Sequence, residues 1–112
     1  DGCFKPAPEL REEFSDLIRL TCGLELSPSD LMEVGERIYT TERLFLNRLG
    51  ITRRDDTLPD RYFDEAVDLP LEQGAHIDRE RFQAMLDEYY AHHGWDREGT
   101  PKPASLARLG IA

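Results

Sequence analysis

The sequence predicts an all-α fold of about four helices of unequal length, with a long charged connector in the middle. Three observations carry this. Apolar residues recur at three- and four-residue intervals over three long stretches. Cap residues and glycines stand at the ends of those stretches. Between them, no segment shows convincing period-two alternation of a half-buried strand.

Leu10, Phe14, Leu17, Ile18 and Thr21 share one helical stripe, predicting a first helix from about Pro8 to Cys22 that Gly23 ends. Ser27, Pro28 and Asp30 then form an S-x-x-D start, with Leu26 placed to staple onto Leu31. The second helix carries Leu31, Val34, Ile38, Thr41, Phe45 and Leu49 in period and stops at Gly50. Leu44, Phe45 and Leu46 are consecutive, so its last turns are apolar on more than one side and are expected to meet something beyond this small domain. Residues 51 to 77 hold Asp55, Asp56, Pro59, Pro70 and Gly74 and read as an extended, charged connector. A loop of that length in a compact domain is usually functional or covers a partner. Asp78 caps the third helix, in which Phe82, Met85, Leu86, Tyr89 and Tyr90 form the core stripe; Trp95, just past Gly94, can fold back on it. Thr100 and Pro101 are expected to open a short last helix that buries Leu106 and Leu109 and ends near Gly110.

The chain has 112 residues, read as one domain over 1–112, a length at which folding buries roughly 65% of the surface the unfolded chain exposes. A net charge of −9 with no compensating basic stripe argues against nucleic acid. No apolar run approaches the ~20 residues that span a bilayer, so no membrane partner is expected. The two cysteines, Cys3 and Cys22, are read as reduced thiols in a cytoplasmic setting. The chain begins at Asp1 without initiator Met or targeting segment, which favours reading it as a portion of a longer polypeptide.

Candidate chemistry is sparse. Glu88 and His92 are four residues apart, but His93 points elsewhere, and a metal site needs three or four ligands, so these imidazoles read as a helix end. Glu36, Arg37, Glu42 and Arg43 repeat opposite charges and read as a solvated or salt-bridged helix face. There is no phosphate-cradling glycine loop and no Ser-His-Asp set at a recognised spacing, so no catalytic residue is assigned.

Four ordered stretches, "GERIYTTERLF" (35–45), "GITRRDDTLPDRYF" (50–63), "MLDEYYAHHGWDREGTP" (85–101) and "LARLGI" (106–111), resemble the C-terminal region of the aldehyde ferredoxin oxidoreductase family. The resemblance implies a tungsten or molybdenum bis-pterin enzyme with an iron-sulfur (4Fe-4S) cluster. Such an enzyme oxidises aldehydes to carboxylic acids and passes electrons to ferredoxin. Its partners would then be the remaining domains of the same enzyme, ferredoxin and the aldehyde. The resemblance also implies that Cys3, in "DGCF", matches the cluster cysteine of a D-x-x-G-L-C motif, although Gly2 replaces the motif's Leu and Asp1 stands too near to be its aspartate. Cys22 has no counterpart in that pattern and reads as structural. A chain holding two cysteines cannot complete a four-cysteine cluster, so the isolated 112 residues are expected to be inactive. On this reading Arg53, Arg54, Asp55, Asp56, Asp60 and Arg61 pair with one another or with missing domains as a docking belt, anchored by Leu58, Pro59, Tyr62 and Phe63. The alternative is a stand-alone helical interaction module without redox activity.

Overall fold

A computed structural model describes residues 8–69 and 72–111. The fold is all-α in class. The elements run α1 (Pro8–Cys22), α2 (Pro28–Arg48), a 3-10 turn (Arg53–Asp55), α3 (Arg61–Asp64), strands β1 (Val67–Leu69) and β2 (Glu72–Ala75), α4 (Arg79–His92) and α5 (Pro103–Leu109). Two compact units divide the chain, Asp1–Tyr39 and Thr40–Ala112, and α2 runs through the boundary.

Local chemistry explains the helix limits. At the head of α2 the Ser27 amide donates to Asp30 Oδ2 at 2.8 Å, and the Asp30 amide donates back to Ser27 Oγ at 3.1 Å, a reciprocal capping box. Asp78 caps α4 by accepting from the Arg81 amide at 2.8 Å. Past α4 the Gly94 amide donates to Ala91 O and the Trp95 amide to Tyr90 O, the two bonds of a Schellman closure, with Gly94 at φ +68°. A side chain there would need the left-handed conformation and its Cβ would meet Ser105 Oγ at 2.1 Å. The last helix starts later than Thr100 and Pro101 suggest, because Pro101 pairs across to Trp95 in an isolated bridge and Pro103 opens α5.

The connector is more ordered than its composition implies. It contains the 3-10 turn, α3 and an antiparallel hairpin with Val67 opposite Ala75 and Leu69 opposite Glu72, the register slipping between them. The strands are too short for alternation to show. The Ile77 amide donates to Tyr62 O at 3.0 Å, closing the segment on itself.

In the first unit Phe14 and Leu17 of the α1 stripe are more than half exposed, and so is Leu20, which lies off that stripe. In the second, the core gathers Leu86, Tyr90 and Trp95 with Phe82 and Tyr89 against them, and Phe63 meets Phe82 edge-on at 5.3 Å. Leu109 is fully buried. The periodic apolar stripe of α2 is not its buried face. Ile38, Phe45 and Leu49 are exposed, whereas Thr40 and Arg43 are buried. In the second unit α2 therefore turns Thr40 and Arg43 inward, where a counter-charge meets the guanidinium.

Candidate functional site

Arg43, read from sequence as part of a solvated or salt-bridged helix face, is the centre of the second unit, with 7% of its side chain exposed. Its Nη1 and Nη2 donate to the two Asp56 oxygens at 2.8 and 2.6 Å, and Nε donates to Gly99 O at 2.7 Å. Such a bidentate fork is the strongest form of this contact. Tyr90 Oη donates to Asp56 Oδ2 from the other side. The guanidinium also lies 5.3 Å from the Trp95 ring and 5.8 Å from the Tyr90 ring. α2, the connector, α4 and the turn before α5 thus meet at one ion pair.

Gly99 makes the approach possible. It sits at φ +75°, and a Cβ there would fall 2.2 Å from Arg43 Nη2 and 3.1 Å from Tyr90 Cζ. Asp96 folds the turn by accepting from the Glu98 and Thr100 amides, each at 2.9 Å. Asn47, one turn along α2, donates to Ile51 O at 3.0 Å.

A second guanidinium brackets the same ring. Arg53 lies 5.6 Å from the Tyr90 ring centroid and donates to Asp87 at 2.5 Å, to Gln83 Oε1 at 2.9 Å and to the carbonyls of Gln83 and Arg97. Farther along, Arg79 of α4 binds Asp64 at 2.8 Å and Asp60 at 3.2 Å while covering the Phe63 ring at 4.5 Å. The charges of 53–64 are thus largely spent on α2 and α4 of this same unit. Among the described residues the exceptions are Arg54, paired with neighbouring Asp55 at 3.5 Å with 80% of its side chain exposed, and Arg61, which covers the adjacent Tyr62 ring at 5.1 Å.

The electrostatics of this centre point away from proton transfer. Burial, then the hydrogen bond to Asp56, pushes the Tyr90 phenol up to about 12. Burial alone would raise the Asp56 carboxyl, but hydrogen bonds from Arg43 and Tyr90 outweigh it and hold it below the usual carboxylate range. The same Asp56 bonds push the Arg43 guanidinium above its already high usual value. A general acid or base works best with a pKa near the operating pH, and every shift here moves away from neutrality. The centre is a clamp of fixed charges. Beside it opens a cleft of about 490 Å³ lined by Asp87, Trp95, Asp96, Arg97 and Lys102 among others, in which carboxylates and cations balance.

Of the residues singled out for metal chemistry, Cys3 lies outside the described residues. Cys22 is an exposed free thiol at the end of α1. His93 stacks 4.5 Å from Tyr89 and 5.1 Å from Trp95, part of the aromatic cluster, not of a metal face. Among the described residues, no three His, Cys, Asp or Glu side chains converge to hold a metal ion. No described helix is long and apolar enough to cross a membrane.

Arg43, Asp56, Tyr90 and Gly99 each fall inside one of the stretches that carry the family resemblance. The sequence model for aldehyde ferredoxin oxidoreductase, domains 2 and 3, matches residues 3–111. This chain belongs to that family. It is 35% identical over 102 residues to the tungsten-containing aldehyde ferredoxin oxidoreductase of Pyrococcus furiosus, a match covering 90% of this chain and 16% of that protein. The corresponding Thermococcus kodakarensis protein is 32% identical over 102 residues, again 90% of this chain and 16% of the relative. The WOR-like subunit of an aliphatic sulfonate oxidoreductase from Pyrococcus furiosus is 32% identical over 113 residues, covering 96% of this chain and 18% of that subunit. The chain therefore spans about a sixth of the length of the relatives it matches, within a family of oxidoreductases.

Proposed function

We propose that this chain is the C-terminal part of an oxidoreductase that converts aldehydes to carboxylic acids and sends the electrons through an iron-sulfur cluster to ferredoxin. The observation that supports this most is the match to the family's domains 2 and 3 across residues 3–111. A tungsten or molybdenum bis-pterin would supply the redox chemistry when bound. The described residues do not form a site that fits such a group or a cluster, so no step of the reaction is assigned to them. Their contribution is a rigid, charge-clamped body that helps enclose the cofactor-bearing domains and exclude water. Cys3 is the position proposed to give one thiolate to the cluster. The setting that suits ferredoxin-linked chemistry is the cytoplasm.

A second substrate reading has its own support: the relative whose match covers the larger share of this chain is named for an aliphatic sulfonate. The experiment is to recover the native polypeptide from source extract and measure its mass together with tungsten, molybdenum and iron. Ferredoxin reduction is then assayed with aldehydes and with aliphatic sulfonates. A much longer, metal-bearing polypeptide that reduces ferredoxin with aldehydes is expected. Activity with sulfonates alone would replace the substrate. A metal-free polypeptide of 112 residues would overturn the reading and leave an interaction module.

A further inference from the structure

The clamp and the bridges of Arg53 and Arg79 take up much of the connector's charge within the second unit, so a docking surface is sought elsewhere. The first unit offers one. Between α1 and the start of α2 runs a groove of about 210 Å³, lined almost wholly by apolar surface from Phe14, Ile18, Pro28, Leu31 and Met32, with Arg11 at one wall. Phe14 is 56% exposed and Met32 53%. A contiguous apolar patch of this kind on a soluble chain marks a contact surface.

Two polar atoms on the same face of α1 lack partners. Arg11 Nε and Ser15 Oγ are shielded from solvent, yet neither has a hydrogen-bond partner among the described residues. Shielded donors are normally satisfied. Arg11, Ser15 and Ile18 are spaced i, i+4 and i+7, so both donors lie on the helix face that carries the Arg11 and Ile18 lining of the groove.

We propose that this groove receives an apolar segment from the remaining domains of the same polypeptide, one that presents a carboxylate or carbonyl oxygen to Arg11. This rests on the reading of the chain as the C-terminal part of a larger enzyme. The relatives place more than four-fifths of their length outside the matched region, which supplies the occupant. A second copy of this chain fits less well. A two-fold contact through the groove would set its lining against the same lining of the mate, which includes no carboxylate to meet Arg11.

The test compares hydrogen exchange in the full-length polypeptide with that in the 112-residue chain. Amides of residues 11–32 are expected to exchange about tenfold or more slowly in the full-length protein, while those of α4 exchange alike in both. Met32→Glu in the full-length protein should abolish that slowing. Arg11→Glu, which leaves the apolar lining intact, should reduce it, and Leu20→Glu, outside the lining, should leave it unchanged. Mass and tungsten content are measured on the same preparation. A long, tungsten-bearing polypeptide whose residues 11–32 exchange as fast as in the short chain would sink the docking slot but keep the enzyme reading. A short, metal-free native chain would remove both. Concentration-dependent slowing in the 112-residue chain, with sedimentation as a dimer, would assign the groove to a second copy and overturn the proposal.

Discussion

Replacing Asp56 by Ala should be among the most damaging single changes in the second unit. The substitution strips two charge-assisted bonds, at 2.6 and 2.8 Å, from a guanidinium with 7% of its side chain exposed, leaving Arg43 only the Gly99 carbonyl. It also leaves the Tyr90 hydroxyl without the Asp56 acceptor. Breaking one side of a buried ion pair costs about 3–5 kcal/mol, and an orphaned hydroxyl about 1–3 kcal/mol. These terms are not additive. Asp56 itself keeps 22% of its side chain exposed, so water can partly replace it. The net expectation is about 3 kcal/mol, or roughly 10–20 °C in Tm for a unit of this size. Urea and thermal unfolding, followed by the fluorescence of Trp95, the single tryptophan, measure it. The decisive form is a double-mutant cycle with Arg43→Met. If the clamp is as described, the double variant is more stable than the sum of the single losses allows, by ~1.5 kcal/mol or more. Additivity within ~0.5 kcal/mol would refute the argument, because it would mean that the two charges are solvated independently.

Further outcomes follow from the same geometry. In an alkaline titration read by phenolate absorbance, one of the four tyrosines should ionise near 12, and Tyr90→Phe should remove that step. Because the folded value is raised, the stability Tyr90 contributes is full below its unfolded pKa of ~10 and is lost as pH climbs through 12. At the acid end the sign reverses. Asp56 is depressed on folding, so its contribution is present above an unfolded pKa of ~3.9 and is lost as pH falls below that, and Asp56→Asn should flatten this limb of the stability curve. Gly99→Ala should cost at least about 2 kcal/mol through its positive φ and the clash with Arg43, whereas Arg54→Ala, at a side chain 80% exposed, should shift stability by less than ~0.5 kcal/mol.

Much of the fold was legible because it is written in local rules. The bounds of α1 were read from one apolar stripe and a following glycine. Ser27 with Asp30, and Asp78 before α4, announced their helices through bonds that span three residues and require nothing distant. Trp95 folding back on α4 followed from a Schellman closure at Gly94. The hairpin at 67–75 escaped notice because its strands are three and four residues long, too short for alternation.

The site escaped for a different reason. Amphipathic logic assigns the polar side of a helix to water, and on α2 that side holds Thr40, Arg43 and Asn47. The assignment fails when a carboxylate thirteen residues away and a carbonyl fifty-six residues away meet the guanidinium without water. Nothing in the spacing of Arg43, Asp56, Tyr90 and Gly99 predicts their meeting. The one available signal was that all four fall inside the stretches that carry the family resemblance.

The sequence by itself therefore determined where the principal helices begin and end, the family, and the excess of apolar side chains on α1 and α2, since these depend on neighbours within one or two turns. Only the tertiary structure decided which residues of α2 are buried, that Arg43 and Asp56 form a clamp instead of a solvated helix face and a docking belt, and that α1 and the start of α2 line a groove beside Arg11. Those outcomes depend on charge pairing across long loops, where the low dielectric of the interior makes one well-placed counter-ion outweigh the hydrophobic pattern of an entire helix.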